Sequence, residues 1–279
     1  MHAALVTSWS IQAPIYTRIG QLQLKILAGS PQTGVSYYIL PLSALCLAES
    51  VNVDRGNLVL LQPGAAGPES ESLDPVAIAG LVNPVSSSLM ALRTRVNGEI
   101  TGKTVLVLGA TGKSGRAAVL VAKFLGCVDG VDGWVASGHM PTGATGGWFS
   151  LSAWVGPVHI VLDYVGGSVG ADILGSAEIE DGEELQYVQV ENLAFEMGTE
   201  EKHMFEILPG HLISRRPICI RGSGMGSFSR GDLICEIPDL ISFLAGIKAP
   251  FEIASAPVSQ VASVWRDENT KGSRLVILP

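Results

Sequence analysis

Apolar residues come in short dense runs separated by glycine, proline and polar clusters, and the spacing inside the runs changes along the chain. From His2 to Val6, from Leu22 to Leu27 and again from Asn57 to Leu61 the runs have strand length, and together they predict a small β-rich module. Residues 64–74 read as a polar loop. Asp74-Pro75 then opens a helix through Val82, with the acid as cap and the proline in the first turn, where its missing N–H leaves no bond unmade. From Thr104 strands and helices alternate: strand Thr104 to Leu108, helix Ser114 to Leu125, strand His159 to Tyr164, helix Gly170 to Ser176, then strands Gln186 to Val190 and Ile218 to Gly222. Helical crossovers join parallel strands, so this half is predicted to be an α/β, doubly wound parallel sheet. Helical spacing returns over Asp232 to Ala245 and Pro257 to Trp265, and Arg274 to Leu278 reads as a last strand.

Composition supports buried strands: 47% of the 279 residues are hydrophobic and only 16% charged. A formal net charge of -8 supplies no cationic field, which argues against nucleic acid or an anionic membrane and for a small-molecule partner. The opening MHAALVTSWS lacks a basic leader region and no apolar run reaches membrane-spanning length, so the expectation is a soluble, cytoplasmic protein. Cys46, Cys127, Cys219 and Cys235 are scattered, without the close pairing that places two thiolates on one metal ion, and are expected to be reduced and metal-free.

The segment from Val105 to Arg116 carries Gly109, Gly112 and Gly115 where a buried strand becomes a helix. This is the Rossmann nucleotide-binding pattern: Gly109 permits the tight turn, Gly112 lets backbone approach a pyrophosphate, and Gly115 brings helix close to strand. Helix-start amides and the helix dipole favour an anion there, so the cofactor-binding set includes Thr111, Lys113 and Ser114 with the three glycines. A Walker A loop is excluded because Lys113 lies inside the glycine triplet. A reader for the adenosine ribose is less clear. Asp129 and Asp132 fall in a glycine-broken run that suits turns, and His139 could face a 2′-phosphate or stand in an exposed loop.

These residues resemble the zinc-independent medium-chain dehydrogenase/reductase superfamily, particularly its quinone oxidoreductase-like members. The resemblance rests on Ala48 to Asp54, Gly80 to Leu92, Gly102 to Gly112, Val161 to Gly167, Gln186 to Val190, Gly222 to Ser227 and the tail Gly272 to Leu278. It implies a GroES-like module from residues 1–92, joined by 250–279, with a Rossmann domain over 93–249. It further implies NADPH as cofactor with NADH as alternative, Gly222, Ser223 and Gly224 beside the nicotinamide, Asn83 and Ser86 to Ser88 near the same ring, and a homodimer that could pair through Ile218 to Gly222. Two stretches are shorter than the family pattern, between Leu27 and Leu47 and between His139 and Val158.

No His-Glu pair or cysteine cluster offers zinc ligands. Zinc-free reductases pass hydride to an activated alkene, quinone or carbonyl, and Tyr37, Tyr38 and Tyr164 are candidate proton donors, although a tyrosine in such a place is more often a core or rim aromatic. No catalytic residue is assigned. The leading expectation is an NAD(P)H-dependent, zinc-independent reductase of a small conjugated carbonyl, enoyl or quinone compound. The alternatives are a reductase-derived cyclase, isomerase or binding protein that has lost cofactor use, and a reading frame assembled with skipped coding segments.

Overall fold

Four extended segments, β1 (Leu5–Ser10), β2 (Thr17–Gln23), β3 (Ser36–Ile39) and β4 (Leu58–Leu60), pair in that order as an antiparallel sheet. The structure, a computed structural model, describes residues 5–10, 17–23, 36–39, 58–60, 75–127, 156–191, 210–224, 226–267, 270 and 272–278. The first two strands sit later and earlier, respectively, than apolar density suggests. Leu5 pairs with Gln23 and Ser10 with Thr17, so cross-strand pairing carries Thr7 and Arg18 into the ladder despite their polarity, with a shift of register between Thr7 and Trp9.

The helix α1 (Pro75–Thr94) does not stop at Val82 but runs on through Pro84. An internal proline removes one helix hydrogen bond and crowds the preceding turn. Here the hydroxyls of Ser87 and Ser88 donate to the Pro84 carbonyl at 3.0 and 3.1 Å, and Val85, Leu89, Met90, Ala91 and Leu92 continue a fully buried face. Burial of that face outweighs the local penalty. Val76–Thr94 is apolar enough to cross a membrane by length and composition, yet 67% of its apolar window is buried inside the protein, as in the core helix of a globular fold.

After α1 come β5 (Val105–Leu108), α2 (Lys113–Phe124), β6 (Ile160–Asp163), α3 (Gly167–Ser176), β7 (Leu185–Gln189), α4 (Gly210–Arg215) and β8 (Ile218–Gly222). The strands form a parallel sheet in the order β5-β6-β7-β8, with Leu108 level with Asp163, Asp163 with Gln189, and Gln189 with Gly222. All four residues of β6 are buried, as expected of a parallel strand covered on both faces. Leu106, Leu108, Val161, Leu174, Leu185 and Tyr187 belong to one core cluster. The buried face of α2 is built from Gly115, Ala117, Ala118, Val121 and Ala122, small enough for a helix to lie close to a sheet.

The chain ends with α5 (Arg230–Gly246), β9 (Ile253–Pro257), a short 3-10 turn at Val258–Gln260, α6 (Val261–Val264) and β10 (Arg274–Leu278). Strands β9 and β10 pair in parallel, and Ala256, Leu275 and Ile277 form a small core. Two compact units result: Met1–Asn83 with Pro238–Pro279, and Pro84–Ile237. Both divisions fall inside helices, α1 and α5, at a proline.

Candidate nucleotide-binding site

The turn between β5 and α2 is shaped by sterics. Gly109 has φ +84°, a left-handed conformation that a side chain resists, and a Cβ there would press on Val165 Cγ2 at 3.2 Å. A Cβ on Gly115 would lie 2.2 Å from the Gly109 carbonyl oxygen, a distance no side chain can occupy. The turn is closed by Gly112 N–H donating to Gly109 C=O at 2.9 Å, and Gly112 caps α2 without any side-chain hydrogen bond. The N-cap position of α2 therefore places no side-chain oxygen at the helix start, an arrangement that suits an approaching phosphate. Lys113 and Ser114 stand half-buried in this turn, and Thr111 and Gly112 are exposed. Arg116 folds back so that its Nε donates to the Thr111 carbonyl at 3.1 Å.

The next strand end carries Asp163, which is fully buried. Its Oδ1 accepts the N–H groups of Val165 and Gly166 at 2.7 and 2.9 Å, and its Oδ2 accepts the Tyr187 hydroxyl. Burial raises the Asp163 carboxyl above its ordinary value, and the bonds from Tyr187, Gly166 and Val165 oppose that rise. Tyr187 is pushed up by burial first and then by the Asp163 charge, so it stays a protonated donor. Because Val165 packs against Gly109, the Asp163 turn also backs the glycine turn.

Tyr164 is 2% exposed and its phenol oxygen has no hydrogen-bond partner. The hydroxyls of Ser87 and Ser88 lie beside it but give their hydrogens to Pro84. Burial is the main cause that raises this phenol, opposed by Ser87 and reinforced by the charge of Glu191. At the end of β8, Ser223 is 5% exposed and its hydroxyl is likewise without a partner, although its N–H donates to Gln189 C=O at 2.8 Å. Gly222 and Gly224 flank it and are exposed. Both hydroxyls stand at the carboxyl edge of the parallel sheet, the edge at which open α/β sheets bind ligands.

The glycine turn and Gly222 to Gly224 lie at the same carboxyl edge, three strand spacings apart, or roughly 14 Å. Asn83 and Ser86 to Ser88 lie on α1. His139, Asp129, Asp132 and His203 lie outside the described residues, and Tyr37 and Tyr38 are described only as part of β3. His159 is structural: Nδ1 accepts Thr104 N–H at 3.2 Å, and Nε2 lies 3.5 Å from Glu180. Among the described residues no group of three or more His, Cys, Asp or Glu could hold a metal ion. Sequence reasoning passed over Asp163 as a site residue. An acid that ends an apolar strand just before glycines is the signature of a side chain capping its own turn.

A parallel sheet with an uncapped glycine turn and unmet hydroxyls along its carboxyl edge defines a Rossmann-type nucleotide-binding protein. The probable NADPH-dependent quinone reductase tdiC of Emericella nidulans is 61% identical over 355 aligned positions, covering all of both chains. That alignment is longer than the 279 residues of this chain, so the relative carries residues without a counterpart here. The chain belongs to the medium-chain dehydrogenase/reductase superfamily. No protein-family model matches it. Solved structures share the fold at low identity. YhdH of E. coli K-12 with bound NADPH has a TM-score of 0.58 at 14% identity, covering 99% of this chain and 91% of its own. The mitochondrial 2-enoyl thioester reductase Etr1p/Etr2p heterodimer of Candida tropicalis has a TM-score of 0.64 at 13% identity, covering 94% and 79%.

Proposed function

We propose that the protein is an NADPH-dependent, zinc-independent reductase of a small quinone or conjugated carbonyl or enoyl compound. The single observation that carries this reading is the glycine turn, where contact with Gly109 forbids a side chain at Gly115 and α2 begins without a side-chain cap. Its full-length relationship to a probable NADPH-dependent quinone reductase supplies the cofactor and substrate class. The turn suits the pyrophosphate of NADPH, and the unmet hydroxyls of Ser223 and Tyr164 fit a group with both donors and acceptors.

When bound, NADPH supplies a hydride. The chain's own residues bind and orient. Gly109, Thr111, Gly112, Lys113, Ser114 and Gly115 take the phosphates, and Gly222, Ser223 and Gly224 border the nicotinamide. His139 remains the candidate contact for a 2′-phosphate. Tyr164 is proposed as the hydrogen-bond donor to the substrate oxygen: its protonated hydroxyl has no partner within the protein and lies beside Ser87 and Ser88. The functional division is residues 1–92 with 250–279 as a GroES-like module and 93–249 as the nucleotide-binding domain. The interleaving of the two compact units supports it. A cytoplasmic location and a homodimer paired through β8, which has one neighbour among the described strands, complete the proposal.

Calorimetric titration with NADPH and with NADH, followed by turnover on quinones and enones, tests it. Micromolar NADPH binding with quinone-dependent oxidation is expected. A protein that melts cooperatively yet binds neither nucleotide at millimolar concentration overturns it.

A further inference from the structure

The segment that leaves α1 is tied to the far side of the sheet by an unusual set of bonds. Arg95 is the last residue with a helical backbone bond, its N–H donating to Ala91 C=O at 3.2 Å. Its side chain reaches the loop that follows β8: Nε donates to the Gly222 carbonyl and Nη1 to the Ser227 carbonyl, both at 2.8 Å. Arg221 returns a bond from its Nη1 to the Arg95 carbonyl at 3.2 Å. Asn97 and Gln186 exchange a further pair of bonds, Asn97 N–H to Oε1 and Nε2 to the Asn97 carbonyl. The strap thus descends beside β7 and β8 from the level of Arg221 to that of Gln186.

Among the described residues the loop is otherwise held by Ser223 N–H donating to Gln189 C=O at 2.8 Å. Gly224 and Gly226 lie within it, and Gly226 sits at φ +97°. Its described internal bonds are those of one turn, Ser227 N–H and Oγ to Gly224 C=O at 3.0 and 2.7 Å. One planar guanidinium joining carbonyls at both ends closes such a loop as a single ring. A lysine, with all its hydrogens on one nitrogen, cannot match that fork. Inside the closed loop is Ser223, whose buried hydroxyl is unmet. The helix delivering Arg95 also carries Ser87 and Ser88, so one side chain couples the hydroxyl cluster around Tyr164 to the loop.

We propose that Arg95 is a positioning residue for hydride transfer: it holds the Gly222 to Ser227 loop in the one shape that orients the reacting ring, while the glycine turn carries cofactor affinity. This rests on the reading above that Gly222 to Gly224 border the nicotinamide. A residue that sets geometry at the reacting atoms acts on kcat, and one that holds phosphate acts on binding.

The test compares wild type with Arg95→Met, Arg95→Lys and Arg216→Met. Arg216 donates to two carbonyls, of Gly175 and Ala177, on the other side of the fold, so its loss reproduces the chemical lesion without touching the loop. Turnover of a quinone with NADPH, NADPH affinity by calorimetry, and the primary isotope effect with NADPH deuterated at the transferred position are measured. For Arg95→Met, kcat is expected to fall about tenfold or more, NADPH affinity to change less than about threefold, and the isotope effect to rise as hydride transfer becomes limiting. Arg95→Lys should lie between, and it keeps the test open should the methionine variant fail to fold. Arg216→Met should lose thermal stability with kcat per bound NADPH and isotope effect unchanged. An active wild type whose Arg95 variants keep its kcat and isotope effect, or change them only as Arg216→Met does, overturns the role of Arg95 alone. A folded wild type that neither binds NADPH nor reduces a quinone overturns the reductase reading and this inference with it.

Discussion

Tyr187 donates its phenolic hydrogen to Asp163 across neighbouring strands, and neither side chain reaches water. The register explains why they meet. Tyr187 is level with Val161, and Asp163 is two residues further along on the same face. The same carboxylate gathers two backbone N–H groups of the turn that supports Gly109. A buried acid with three donors is stable only while all three are present.

Tyr187→Phe removes one of them and leaves a carboxylate oxygen bare. The expected loss is about 1–3 kcal/mol, or roughly 3–8 °C in Tm. The pH dependence has a definite sign. The folded-state pKa of Asp163 is raised above the ordinary 3.8, so the folded chain holds this proton more tightly than the unfolded one. Stability from this group is therefore complete below the ordinary value and is lost as pH rises through the folded value. Relative to Asp163→Asn, which does not titrate there, wild type should gain in Tm as pH falls from about 7 to about 4. Thermal melts of both proteins across that range check this, and a flat or opposite difference would refute it.

Gly115 and Gly112 should behave differently although both belong to one motif. Gly115→Ala forces a carbon to within 2.2 Å of the Gly109 oxygen and should unfold the turn, with a Tm loss of about 10 °C or an insoluble product. Gly112→Ala meets the same oxygen at 3.3 Å from an ordinary backbone conformation and should stay within about 3 °C of wild type. Its NADPH affinity should nonetheless fall by about tenfold, because the methyl group occupies the approach to the phosphates. Melts and calorimetry on the two variants separate steric from binding roles.

Tyr164→Phe sets stability against activity. Removing a buried hydroxyl that has no partner should raise stability by about 1 kcal/mol. If Tyr164 donates a hydrogen bond to the substrate oxygen, kcat should fall by about tenfold or more in the same variant. A variant with full turnover would remove Tyr164 from the chemistry.

Arg216→Met strips bonds from the carbonyls of Gly175 and Ala177 at the end of α3, where a cation also favours the helix dipole. A Tm loss of about 2–6 °C is expected, with NADPH affinity unchanged, as measured by melts and calorimetry.

The parallel sheet was legible because its strands are near-continuous apolar runs and its first turn is punctuated by glycines whose spacing has a steric meaning. The length of α1 was not. Asn83-Pro84 reads locally as a boundary, and only the buried face from Val85 to Leu92 carries the helix past it. Contacts between distant residues were equally hidden. Nothing near Arg95 in the chain announces that its side chain closes a loop beginning at Gly222, and nothing near Asp163 names Tyr187. Side-chain partners set by strand register or by a strap crossing a sheet become readable only once topology is known.

The interleaving of the two compact units has a consequence for how the protein is made. Residues Pro84–Ile237 are contiguous, and their four described strands lie side by side in the order of synthesis, so each of these strands finds the previous one already made. The other unit is divided between both arms of the chain, and β9 and β10 are translated last. Its N-terminal strands must therefore wait through translation of the entire nucleotide-binding segment before β9 and β10 exist to join their unit.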